Sequence, residues 1–323
     1  MDTVADASAA EPPAPGVMER TSWGRWGPDD EVGLLNLVTA AEVVEAARLV
    51  RAGKTFTLGL RVFDERGDPL SAERHRAMHV SYRDWSHYAS GKVEADPRNS
   101  YSADDGIFIS CHGTTHMDAL GHVWVDEQLY NGYPAKTTAS WLERCSIAPI
   151  SQRGVVTRGV LIDVASARGV PYLPRTAEIT LHELLAVAAD AGVEVGKGDV
   201  LLIRTGSMPR FYEVGPEEFF ADYSEPGLSD DPELIEWIDS KQIVGIATDT
   251  LANELPYSAR SGQMYPLHRL LLRNRGMTFH EALWLEELAA DSRADGCYAG
   301  LYVALPLKLV GATGSPMNPL FVK

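Results

Sequence analysis

The chain has 323 residues, 45% of them hydrophobic and 23% charged, enough to bury a sizeable core without disulfide staples. A formal net charge of −16 with no basic stripe excludes the Lys/Arg surface on which binding to nucleic-acid phosphates depends, and no run of about 18 apolar residues is present to span a bilayer. Cys111, Cys145 and Cys297 are too few and too widely spaced for a disulfide framework or a structural zinc site, which fits a reducing cytoplasm.

Residues 1–18 are small, polar and proline-containing, without the basic start or apolar stretch of a signal peptide, and are expected to form a disordered tail. No Gly/Ser-rich linker divides the remainder, so residues 19–323 are expected to form one domain. Thr39 caps a predicted helix over "TAAEVVEAARLVRAG", with Gly53 as its stop. "KTFTLGLRVF" alternates like a strand, and residues 64–102 form a long irregular excursion of the kind that serves a site. Three apolar runs at 159–164, 199–205 and 243–250 have the length of buried strands. The first two flank an amphipathic helix, "TLHELLAVAADAGV". "PLHRLLLRNRG" and "LEELAADSRADG" are predicted as helices closed by glycine, and "CYAGLYVALPLKL" as a last strand interrupted by Pro306. The irregular alternation implies a mixed α/β fold without the rhythm of a barrel.

The segment "ISCHGTTHMDALGHVW" gathers His112, His116, Asp118 and His122. On a flat strand all four would share a face, but a rise of about 3.3 Å per residue would leave His112 and Asp118 roughly 20 Å apart. In a regular helix Asp118 would face away from both His112 and His116. The remaining arrangement is a strand, "GIFIS", running into a turn at Gly113-Thr114-Thr115, with glycine supplying the backbone freedom. Two imidazoles and a carboxylate suit a divalent ion, Zn or Mn, and leave coordination positions open. Such an ion can bring the pKa of water down to about 7. His122, with an unperturbed pKa near 6.5, is the candidate proton shuttle. The plain alternative is a set of ordinary surface or core histidines, since the pattern lacks the helical context of H-E-x-x-H.

Elsewhere, Trp85, Tyr88 and Trp124 are candidate substrate-binding residues that could wall an aromatic pocket, with simple loop packing as the alternative. Asp249 and Glu254 in "TDTLANELP" either position a substrate or cap the next segment. The acid-rich stretch 212–233 reads as solvated surface.

The histidine-rich segment resembles the H-x-G-T-H-x-D-x-P-x-H signature of the cyclase family, whose members include bacterial kynurenine formamidases, isatin hydrolases and relatives assigned to polyketide ring closure. His112, Thr115, His116, Asp118 and His122 fall in register, whereas Thr114 replaces the signature's glycine and Leu120 its proline. "WGPDDEVGLLNLVT", "HVWVDEQLYNG" and "GATGSPMNPLFVK" are similar to the longer branch of that family. The resemblance implies metal ligation by His112, His116 and Asp118. It implies a second ligand pair in His268 and Glu281, with Asp118 bridging two ions. His280 stays open as the alternative to Glu281, and so does a single-ion site. It further implies a swivelling β/β/α-type domain with an irregular N-terminal arm, assembled as a homodimer or homotetramer. The implied chemistry is hydrolysis of a C–N amide bond in an aryl formamide, lactam or cyclic imide, with His122 as general acid/base. A metal-dependent cyclase, dehydratase or lyase and a catalytically silent binding protein are the rivals.

Overall fold

Nine strands form one mixed sheet in the computed structural model, which describes residues 16–69, 71, 73–94 and 100–323. In chain order they are β1 (Thr55–Thr57), β2 (His116–Asp118), β3 (Val155–Asp163), β4 (Val200–Arg204), β5 (Gly245–Thr248), β6 (Thr278–Glu281), β7 (Ala299–Ala304), β8 (Gly314–Pro316) and β9 (Leu320–Val322). Their order across the sheet is β1-β9-β7-β3-β4-β5-β6-β2-β8. The centre, β3 to β6, is parallel, and both flanks are antiparallel.

The three apolar runs predicted as strands are β3, β4 and β5, the first two extending slightly beyond or within the expected limits. Every residue of β4, β5 and β6 is buried, as a parallel sheet covered on both faces requires. The predicted helix after residue 180 is Leu181–Asp190, with Thr180 accepting from the Glu183 amide, and a second covering helix, Pro232–Lys241, buries Leu234, Ile235 and Ile238. The Thr39 cap is present as a full capping box with Glu42, but its helix ends at Ala47, well short of Gly53. Among the described residues no helix is long and apolar enough to cross a membrane. Of the tail expected over 1–18, residues 1–15 lie outside the described residues, and Val17 and Met18 pack against the core.

Three expectations need correction. "KTFTLGLRVF" pairs as a strand only over Thr55–Thr57. Beyond it the backbone amides diverge to other partners, Leu58 to the Pro319 carbonyl, Gly59 to the Asn318 side chain and Leu60 to Thr115. The excursion 64–102 is not wholly irregular: Met78–Arg83 pairs antiparallel with Asp104–Phe108, and Asp84 caps the short helix Trp85–Ala89. "CYAGLYVALPLKL" is not the last strand, because β8 and β9 follow it; each is three residues long, too short to show a period.

Gly300 on β7 and Gly159 on β3 lie directly opposite one another. Phe321 covers both: a Cβ on Gly159 would sit 2.9 Å from its ring, and one on Gly300 would overlap the ring and lie 2.5 Å from the Val322 carbonyl oxygen. Overpacking at such a site costs about 1–3 kcal/mol. Gly300→Ala is therefore expected to lower stability by that amount in urea unfolding, and an unchanged midpoint would show that β9 shifts freely to admit the methyl group.

Candidate metal centre

The antiparallel flank of the sheet assembles the cluster. His116 and Asp118 are two residues apart on β2 and share a face. Register places Glu281 of β6 opposite His116, and Gly314 of β8 opposite Asp118. His112 comes from the turn before β2, where the Gly113 amide donates to the Ser110 carbonyl at 2.9 Å and Arg74 donates to the His112 carbonyl at 2.7 Å. The expected turn is present, but Gly113 closes it without a left-handed conformation. Glycine is needed instead at position 314, where a Cβ would stand 2.6 Å from His112 Cε1.

The side chains converge on Asp118, which is fully buried. His112 Nδ1 lies 2.8 Å and His116 Nε2 3.4 Å from Asp118 Oδ1, while His268 Nε2 lies 3.5 Å from Oδ2. Glu281 Oε2 is 3.2 Å from His116 Nε2, and its Oε1 is 3.6 Å from His268 Nε2. The opposite ring nitrogens are already committed. His116 Nδ1 donates to the Thr114 carbonyl at 2.8 Å and His268 Nδ1 to Glu254 at 2.6 Å, which turns both Nε2 lone pairs towards the carboxylates. Among the described residues, His112 Nδ1, His116 Nε2 and both Asp118 oxygens are buried without an aligned hydrogen bond. Acceptors thus face acceptors at the centre of the cluster, an arrangement that a divalent cation turns into a ligand set. Two overlapping triads, His112/Asp118/His122 and His116/Asp118/Glu281, each have their donor atoms within 4.8 Å of one another. Mixed imidazole and carboxylate donors suit Zn or Mn.

The electrostatics express the same demand for positive charge. Burial alone would depress His116, but Asp118 and Glu281 beside it reverse that and push it up to about 9. His268 is likewise raised, against burial, by Asp118 and Glu254. Burial and the nearby Asp118 charge raise Glu281 above the usual carboxylate range. His122 is pulled down to about 3 by burial, opposed by Asp118 and reinforced by the surrounding imidazoles.

Strand alternation separates His280 from Glu281. His280 turns to the opposite face, where its ring meets the Tyr302 hydroxyl at 2.8 Å and the Thr278 hydroxyl at 3.0 Å. Glu281 is the member of the pair that reaches the cluster, and Asn253 donates to it at 3.0 Å. Glu254, left between two roles by the sequence, accepts from the Leu267 amide, the His268 amide and the His268 ring. It fixes the orientation of His268. Asp249 accepts from the Thr205 amide and hydroxyl and the Gly206 amide, closing the loop after β4 away from the cluster. Thr313, whose hydroxyl meets His112 Nε2 at 3.0 Å, and the Thr114 carbonyl were not singled out in the sequence.

A cavity of about 440 Å³ opens on the cluster, lined by His122, His268 and Glu281 together with Arg74, Phe220, Tyr223 and Tyr265. The His122 ring stacks on His112 with centroids 4.2 Å apart. Trp85, Tyr88 and Trp124 do not line this cavity. The strands on either side of the helix Trp85–Ala89, Met78–Arg83 and Asp104–Phe108, pair only with each other among the described residues, and Trp85 and Tyr88 line a separate cleft with Tyr101; Trp85 is 82% exposed. Trp124 is half-exposed at the tight turn closed by Val125 and Gln128. The aromatic residues that line the cavity are Phe220 and Tyr223 of the stretch 212–233 together with Tyr265; that stretch is not simply solvated surface, since Phe219, Glu225 and Asp230 are buried. Glu225 accepts from the Leu251 amide, and burial lifts it to about 8.

A model of the family described as "Putative cyclase" matches residues 56–254. An isatin hydrolase from Roseibium aggregatum is 27% identical over 241 residues, covering 71% of this chain and 80% of that protein. A crystal structure described as that of a novel cyclase is 33% identical and covers 94% of this chain and 100% of its own, with a TM-score of 0.85. An isatin hydrolase bound to the product analogue thioisatinate shares the fold at 20% identity, with a TM-score of 0.58 and coverage of 87% and 94%.

The orienting role of Glu254 is testable by metal titration. Removing a carboxylate behind a ligating histidine typically weakens metal binding about 10–100-fold, and that loss is expected for Glu254→Ala. Glu281→Gln should likewise weaken binding, whereas His280→Gln should bind as tightly as the unaltered protein; the reverse pattern would transfer the ligand role to His280.

Proposed function

The chain belongs to the cyclase family, and from that membership we propose that it is a metal-dependent hydrolase cleaving a C–N amide bond in an aryl formamide, lactam or cyclic imide. The observation that carries this reading is the buried set of unpartnered acceptors on His112, His116 and Asp118, placed beside a cavity large enough for a small molecule. The likeness to an isatin hydrolase, a protein named for the hydrolysis of a cyclic amide, supports the choice of bond.

His112, His116 and Asp118 Oδ1 would hold one divalent ion. Asp118 Oδ2, His268 and Glu281 would hold a second, since the two Asp118 oxygens face different histidines. When bound, such an ion supplies Lewis acidity, acidifying water and polarising a carbonyl. The protein's own groups do the rest. His122 borders the cavity, and burial keeps its ring neutral, with a lone pair available to take a proton from water and pass it to the leaving nitrogen. Phe220, Tyr223 and Tyr265 form an aromatic wall that orients an apolar substrate body and keeps bulk water from the reacting carbonyl.

A second reading, ring closure or elimination with no water consumed, is supported by the structural relative described as a cyclase. Product mass separates the two: hydrolysis adds the mass of one water to the substrate, whereas ring closure or elimination leaves it unchanged or lower.

Under the hydrolase reading, His116→Ala and Asp118→Ala are expected to abolish both turnover and metal retention. His122→Ala should keep the metal and lose roughly 10²–10⁴-fold in rate, the usual contribution of a general acid/base. Full activity in either metal-free variant would contradict the proposal, and loss of metal from His122→Ala would make His122 a ligand instead.

A further inference from the structure

Arg74 borders the cavity, whereas Arg66 is taken up by Asp64 through two side-chain hydrogen bonds. Arg74 has no carboxylate partner among the described residues; one nitrogen donates to the His112 carbonyl at 2.7 Å. That bond fixes the guanidinium beside the metal-ligand turn and leaves most of its five N–H donors for another acceptor. Among the described residues it is the only Lys or Arg in the wall of the cavity, where it joins Tyr265 and His122. A chain with a net charge of −16 otherwise repels anions, so an unneutralised cation at this position acts locally against the field of the whole protein. Glu73 also borders the cavity but is exposed, and Glu281 is turned into the cluster.

The geometry points to Arg74 as a specificity-determining residue that receives a carboxylate on the substrate while the scissile carbonyl faces the His/Asp/Glu cluster. The substrate class is then an anionic amide, a planar carboxylate held by the fork of one guanidinium and an apolar or aromatic body lying against Phe220, Tyr223 and Tyr265. This assignment rests on the amide-hydrolase reading for the identity of the scissile group, but the recognition of the anion does not require turnover.

The test is a pair of inert probes, methanesulfonanilide and its 2-carboxylate, sulfonamides that differ only in the ring carboxylate and carry no carboxamide bond to hydrolyse. Their binding to the metal-loaded protein is measured by calorimetry. A hydrogen-bonded charge pair implies that the acid binds roughly tenfold to a hundredfold more tightly. In Arg74→Met that preference should fall to about one. Arg74→Gln retains an N–H donor for the His112 carbonyl while removing the charge, and the preference should collapse there as well. Equal binding of both probes by the unaltered protein, or a preference that survives in either folded variant, would overturn the inference. Loss of the preference without turnover of any amide would defeat the hydrolase reading and leave the role of Arg74 standing.

Discussion

Asp118 is a carboxylate with no exposed surface and no aligned hydrogen bond to either oxygen among the described residues. Removing a charge of that kind from water costs several kcal/mol unless a counter-charge is supplied. The surroundings make the demand stronger, because Glu281 brings a second buried carboxylate into the same space. Three imidazoles turn towards the pair, and those of His116 and His268 are locked through their far nitrogens by Thr114 and Glu254. A divalent cation satisfies all of these groups at once, as ligands on one or two shared centres.

The fold serves this centre through register. An antiparallel strand is inserted between β6 and β8, so that His116 and Asp118 of β2 share one face, with Glu281 on the neighbouring strand to one side and Gly314 on the other. The absence of a side chain at Gly314 lets the His112 ring cross over the sheet edge. His268 arrives from the helical turn His268–Arg273, oriented by a carboxylate from the segment after β5. The clustered side chains, from His112 to Glu281, therefore span about half the chain in sequence but depend on a few strand pairings, and a one-residue slip of β2 would turn both His116 and Asp118 away.

Much of this was legible in the sequence where chemistry and period reinforce one another. The parallel strands β3 to β5 announce themselves as uninterrupted apolar runs, and the turn in "SCHGTTH" follows from the failure of any regular element to bring His112 near Asp118. Glu281 and His280 could not be separated by spacing, because "TFHE" carries no periodic signal; it becomes a strand only through pairing with β5 and β2, and that pairing decides which side chain faces His116 and Asp118. The aromatic residues that line the cavity were hidden for a related reason. Trp85 and Tyr88 are conspicuous in sequence yet ride on a hairpin that leaves the sheet, while Phe220 and Tyr223 were concealed within an acidic stretch whose charge suggested solvent. Glu254 was visible only as a carboxylate near a strand end, since its partner lies fourteen residues further on.

The central claim, that positive charge at Asp118 is supplied by a divalent ion, is tested most directly by anomalous diffraction at the metal edge from crystals of active protein purified without chelator. A peak within coordination distance of Asp118, His112 and His116 is the result expected, with a second peak between Asp118, His268 and Glu281 if two ions are held. Diffraction from fully active protein with no anomalous peak at Asp118 would contradict it.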